Sequence, residues 1–256
     1  MAFRFGPGPL LDSFPGAQAA YSLRKVNSRY TGPCLTVRRS SDNATTDIGF
    51  FRYTVDTDAI LNFVGSGNGF VTTWFDQSGN GINISQGTTS LQFNISTSGS
   101  LHYEGNDVVM NAATNRGFNR NTNTVSLSDW TAYFKSKTTG TAAYTGPVNL
   151  NIVQNNGANI FGFRQASDGL YKIVGGTNTA YVKRQMKRTS STGDLQGYLN
   201  GVSTGTSNTA ETLNLSTGTR LFGEFAGQGW IGTVREAIIY PVTHTDFTIA
   251  QINNMM

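Results

Sequence analysis

The most constraining feature of this chain is a cadence. From residue 82 to residue 242, short runs rich in β-branched and aromatic residues are parted by Gly, Asn and Ser. The interruptions recur at roughly 8–12 residues, the spacing of strands in a sandwich or barrel. The runs span residues 100–104, 107–111, 130–136, 150–154, 159–164, 170–174, 179–184, 195–199, 202–206, 219–223 and 230–240. Asn200-Gly201, between two alternating runs, is the strongest hairpin signal, because both residues tolerate the positive φ of a type I′ turn. The pattern predicts a mainly β, antiparallel sandwich.

The first 80 residues are mixed. Good helix formers at 17–30 (Ala17, Ala19, Ala20, Leu23, Arg24) suggest a short helix, and alternation over 34–39 a strand. Asp56 or Thr57 can cap a helix carrying Ile60, Leu61 and Val64, with Gly65 as its stop. Residues 70–75 read as a strand entering the turn Asp76-Gln77-Ser78-Gly79, and 245–253 as a closing helix capped by Thr245. Residues 1–16 stand apart. Gly6, Pro7, Gly8, Pro9, Pro15 and Gly16 oppose helix and central strand, yet Phe3, Phe5, Leu10, Leu11 and Phe14 lie among them. This predicts an extended arm over 1–16 docked on its own domain or a neighbour, and one domain over 17–256.

Charged residues are only 13% of the chain, against about 25% in typical soluble domains. Such a surface is rich in amides and hydroxyls, as in extracellular β proteins and virion shells. The net charge of +4 is a mild bias. Lys183, Arg184, Lys187 and Arg188 form its one cluster, suited to a solvated strand or to contact with an acidic glycan. No nucleic-acid module is present. A single cysteine, Cys34, excludes an intrachain disulfide, and with only His102 and His244 a transition-metal site has few donors. Cys34 reads as a small core residue. No stretch approaches 18 apolar residues, so no membrane insertion is expected, and the first residues lack the apolar region of a signal peptide.

Val71 to Gly81, Gly197 to Val202 and Gly232 to Tyr240 together resemble a concanavalin A/laminin-G-type jelly roll. Residues 19–86 resemble a segment recurrent in phage proteins, and also the N-terminal part of the α-L-arabinofuranosidase B catalytic domain. The matching blocks are Ala20 to Arg24, Tyr30 to Pro33, Val37 to Ile48 and Phe75 to Gly81. The arabinofuranosidase resemblance implies a nucleophilic glutamate in an Asp-Leu-Glu-Asn-Gly-like setting, which has no counterpart here. The Glu-x-Asp-x-Glu strand of jelly-roll glucanases is also missing. The only carboxylates spaced at i,i+2 are Asp56 and Asp58, at a helix start where they suit the dipole.

The expectation is therefore non-enzymatic. It is a bacteriophage virion surface protein, a capsid decoration or tail-fibre component assembled in the host cytoplasm. It would be a homo-oligomer held to other virion proteins through Phe3, Phe5, Leu10 and Phe14. The alternatives are a glycoside hydrolase of arabinofuranosidase type or a free glycan-binding module. Candidate glycan contacts are Trp74, Trp130, Trp230 and Glu236. Val234, Glu236, Ile238 and Tyr240 alternate onto one strand face, so Glu236 is either a structural partner of an Arg or a buried acid, with Glu224 and Asp76 as conceivable partners. No cofactor is implied, although calcium could sit at Asp76 and Asn80.

Overall fold

The structure, a computed structural model, describes residues 8–120, 125–138, 152–155, 158–164, 171–175, 181–208, 213–215, 220–221 and 230–256. It is an antiparallel β-sandwich with a few short helices, in the manner of a jelly roll. The main sheet runs in the order Val202–Asn208, Asp194–Leu199, Val182–Thr189, Trp130–Thr138, Trp230–Tyr240, Met110–Arg116, Phe93–Thr97 and Gly69–Trp74, and then through shorter strands. Ala19–Ser22 pairs with the upper half of Trp230–Tyr240, and Leu35–Arg39 with Gly69–Trp74. Val37, Val71, Trp74 and Phe93 from one end of this path share a core with Trp130, Phe134, Met186 and Leu195 from the other. The sheet is thus folded over on itself, burying apolar side chains that are each worth roughly 1.5–3 kcal/mol.

A second core lies on the opposite face of the strands Trp130–Thr138 and Trp230–Tyr240. There Tyr133, Tyr198, Ile238 and Tyr240 pack under helix α1 (Leu10–Ser13) and helix α3 (Asp246–Met255). Helix α2 (Thr57–Val64) buries Ile60 and Val64 against the first core. Its caps follow the sequence: the Asp56 side chain accepts from the Ala59 amide, and Gly65 ends the helix at φ 57°. Thr245 caps α3 by accepting from the Thr248 amide. Asn200 and Gly201, at φ 50° and 83°, make the expected hairpin turn.

Two local expectations are corrected. Residues 19–22 are a strand, not a helix start: all four are buried, and pairing with Trp230–Tyr240 overrides their helical propensity. The faces of the closing strand also change phase part-way. Glu236 lies opposite Lys135 while Val234 lies opposite Ser136, leaving Arg235 as an extra, bulged residue. Val234 therefore joins the first core, whereas Ile238 and Tyr240 face the second.

Candidate active site

The turn after Gly69–Trp74 is a structural knot. Asp76 is buried, and its two carboxylate oxygens accept four hydrogen bonds. Oδ1 takes the amides of Ala20 and Ser78, each at 2.8 Å; Oδ2 takes the Ser78 hydroxyl at 2.7 Å and the Ile82 amide at 3.0 Å. The fully buried Gln77 accepts from the Val26 amide at 2.9 Å and donates to the carbonyls of Ser22 and Arg24 at 2.8 and 3.1 Å. Asp76 and Gln77 thus supply backbone partners on the side of Ala19–Ser22 that no strand among the described residues pairs, and to the loop that follows it. Asn80, the other oxygen donor considered for calcium, donates its side-chain amide to the carbonyls of Ala17 and Gln18.

Glu236 is fully buried. Arg24 grips it in a bidentate pair, Nε to Oε2 at 2.7 Å and Nη2 to Oε1 at 2.9 Å, and the Ser22 hydroxyl donates to Oε2 at 2.6 Å. Burial pushes this carboxyl up, but the Arg24 guanidinium and the Ser22 hydrogen bond outweigh it and hold it below the ordinary 4.5. Of the two roles weighed for Glu236, the geometry realises the structural pair with an arginine.

Beside Glu236, the hairpin Tyr103–Glu104 and Asp107–Val108 brings a second set of charges onto the sheet. Gly105, at φ 60°, makes the tight turn that sets Glu104 directly opposite Asp107. Cross-strand partners hold their Cβ atoms about 4.5–5.5 Å apart on one face. Glu104 meets Lys137 at 3.1 Å and accepts from the Thr233 hydroxyl at 3.2 Å. Asp107 meets Lys135 at 2.8 Å, accepts from the Tyr181 hydroxyl at 3.2 Å and is ion-paired with Arg235. The bulge at Arg235 lets consecutive residues serve both clusters, Arg235 reaching Asp107 while Glu236 takes Arg24. Burial lowers the Lys135 ammonium and lowers the Arg235 guanidinium to about 10. Burial, with Glu236 and Glu104 nearby, raises the Tyr181 phenol.

The remaining candidates are dispersed. Trp74 and Trp130 are fully buried in the first core, Trp74 tilted against Tyr21 and Phe118 at 5.8 Å, and neither ring is open to solvent. Leu10 is fully buried in the second core and Phe14 packs against it. Phe3, Phe5, the Trp230 side chain and Glu224 lie outside the described residues. In the basic cluster, Lys183 and Lys187 tie α3 to the sheet through the Asn253 carbonyl and Asp246, each at 2.6 Å, while Arg184 and Arg188 are buried on the other face. Sequence spacing along one strand misses the Glu104–Asp107 pair. The available signal was the Gly105-Asn106 turn between the predicted strands 100–104 and 107–111.

A jelly-roll sandwich hosts glycoside hydrolases and non-catalytic modules alike, so the fold alone does not fix the activity. The family is then specific. The model of the alpha-L-arabinofuranosidase B catalytic domain matches residues 13–161, more than half of the chain, and the chain belongs to that family. No curated protein matches it in sequence. Among solved structures, a GH54 α-L-arabinofuranosidase soaked with a cyclic sulfate inhibitor superposes with a TM-score of 0.69 at 16% identity, over 98% of this chain and 64% of that one. An arabinofuranosidase complexed with arabinofuranosyl-α-1,2-xylobiose gives 0.64 at 16% identity, with the same coverage. This chain thus spans just under two thirds of their length.

The family overturns two expectations. Nothing supports the virion surface protein, and the non-enzymatic reading gives way to a glycoside hydrolase family. The resemblance over residues 19–86 fitted both a phage segment and the arabinofuranosidase domain. Absence of a linear nucleophile motif does not separate the two, because carboxylates on separate strands are paired by sheet register, which no linear motif records.

Proposed function

We propose that this chain is a glycoside hydrolase of the arabinofuranosidase type, releasing L-arabinofuranosyl groups from substituted glycans. The observation that carries the reading is the family match over residues 13–161. The facing pair Glu104 and Asp107 is the supporting chemistry. Retaining glycosidases hold two carboxyl groups roughly 5–5.5 Å apart, one an ionised nucleophile and the other a proton donor that later acts as base. Asp107 meets two cations and a phenol, and is assigned the nucleophile's part. Glu104 meets one lysine and one hydroxyl and is assigned the proton-transfer part. Assigning roles to two carboxyls by their unequal surroundings follows the general pattern of such sites.

The test is release of nitrophenol from 4-nitrophenyl α-L-arabinofuranoside. Wild type should turn over, and Asp107→Asn and Glu104→Gln should each lose at least about 10²–10⁴ in kcat, the scale of a lost acid–base group. Wild-type protein inert on this and a broad aryl-glycoside panel would end the hydrolase reading. Activity that survives both substitutions but not Glu224→Gln would keep the reading and move the site.

A further inference from the structure

We infer that the cleft between the N-terminal segment and the Asp76 turn is a second carbohydrate-binding site, separate from the Glu104–Asp107 cluster and selective for neutral, hydroxyl-rich chains. The cleft encloses about 550 Å³ and is walled by Asp12, Pro15, Asn27, Ser28, Arg29 and Ser78. That volume falls in the range of ligand pockets.

Its walls are fixed in advance. The Ser28 amide donates to Asp12 Oδ1 at 3.1 Å, and the Arg29 amide to Asn27 Oδ1 at 3.0 Å. Asn27 also donates to the Gln77 carbonyl at 2.9 Å, and the Ser78 hydroxyl to Asp76 at 2.7 Å. The Leu11 amide bonds the Val26 carbonyl at 2.7 Å, which ties the two sides together behind the cleft. A preorganised wall spares a ligand much of the ordering cost of binding.

What the walls leave over defines the ligand. Among the described residues, Asp12 Oδ2 accepts no hydrogen bond and the exposed Arg29 guanidinium has no ion pair or hydrogen bond. One supplies acceptors only, and the other donors only. A vicinal diol does both: its hydroxyls can donate to the carboxylate and accept from the guanidinium fork. The two charges cancel, so the cleft does not favour an anion. With Pro15 as an apolar patch on the rim, the set suits a sugar.

This inference builds on the proposed hydrolase reading, because a second site on a polysaccharide-degrading domain would hold the polymer. The experiment separates the two. Native gel electrophoresis in arabinoxylan reads binding without turnover, and 4-nitrophenyl α-L-arabinofuranoside reads hydrolysis. Arg29→Ala, a fully surface change, and Asp12→Asn, which keeps the acceptor for the Ser28 amide, should each weaken retardation about tenfold, the effect of one lost charged hydrogen bond. Both should leave hydrolysis of the small substrate unchanged and retardation insensitive to salt. Wild-type protein that hydrolyses but is not retarded overturns the cleft and spares the hydrolase reading. Retardation that both variants lose, in a protein without activity, does the reverse. Variants retarded as strongly as wild type overturn the cleft outright.

Discussion

Glu236→Gln offers the sharpest test of how this domain is held together. The substitution keeps the side chain's size and removes its charge. Arg24, its side chain 18% exposed, would then sit beside the buried Arg235 and Lys135 without its counter-ion. Removing one partner of a buried pair costs about 3–5 kcal/mol, and the residual exposure of Arg24 argues for about 3 kcal/mol. Against a total of about 5–15 kcal/mol, this should lower the urea midpoint by roughly 1 M, given a slope near 3 kcal/mol per M for a domain of this size. The pH dependence adds a second constraint. Because the native carboxyl sits below 4.5, its contribution is whole above that pH and drains away as the pH falls through the lowered native value. Wild type and variant should therefore converge in acid. An Arg24→Met/Glu236→Leu double variant should recover most of the loss, since well-packed apolar replacements of buried pairs are often neutral or better. A difference under about 1 kcal/mol at pH 7, or a gap that widens as the pH falls below 4.5, would refute the structural assignment. So would a Glu236→Gln protein of full stability that has lost catalysis.

Gln77→Ala strips partners from the Val26 amide and the Ser22 and Arg24 carbonyls, so a loss of about 3 kcal/mol is expected, with faster amide exchange at Val26. Unchanged exchange there would count against the knot. Gly201→Ala places a Cβ at φ +83° and 3.3 Å from the Asn253 side-chain Nδ2, and should cost about 1–2 kcal/mol in thermal or urea unfolding. His244 accepts or donates at 2.7 Å with the Tyr133 hydroxyl, and burial together with Lys187 pulls its pKa down to about 4. The unfolded chain takes its proton near 6.5, so stability should decline as the pH drops from 6.5 towards 4. His244→Gln should flatten that part of the profile, which stepwise urea titrations will read.

What was legible in the sequence is what depends on neighbours along the chain. The Asp56 and Thr245 caps, the Gly65 stop, the Asn200-Gly201 turn and the run 230–240 all announce themselves within a few residues. What was hidden depends on partners far away. Residues 19–22 look helical until Trp230–Tyr240 lies beside them. Arg24 finds Glu236 across 212 positions, and a single bulge at Arg235 turns an even alternation into two phases. Glu104 and Asp107 become a pair only once Gly105 and Asn106 fold the chain back. Trp74 and Trp130 drew attention as sugar platforms because aromatic residues serve cores and ligands alike, and residue type alone does not say which.

The pairing of Ala19–Ser22 with Trp230–Tyr240 also sets a timetable. Ser22 and Glu236 are separated by 214 positions. At synthesis rates of roughly 5–20 residues per second, the first strand waits about 10–40 s before its ladder partner leaves the ribosome. Throughout that interval its apolar residues and free amides are exposed in the crowded cell, so the yield of soluble protein should depend on chaperones and on translation speed as much as on the stability of the finished sandwich.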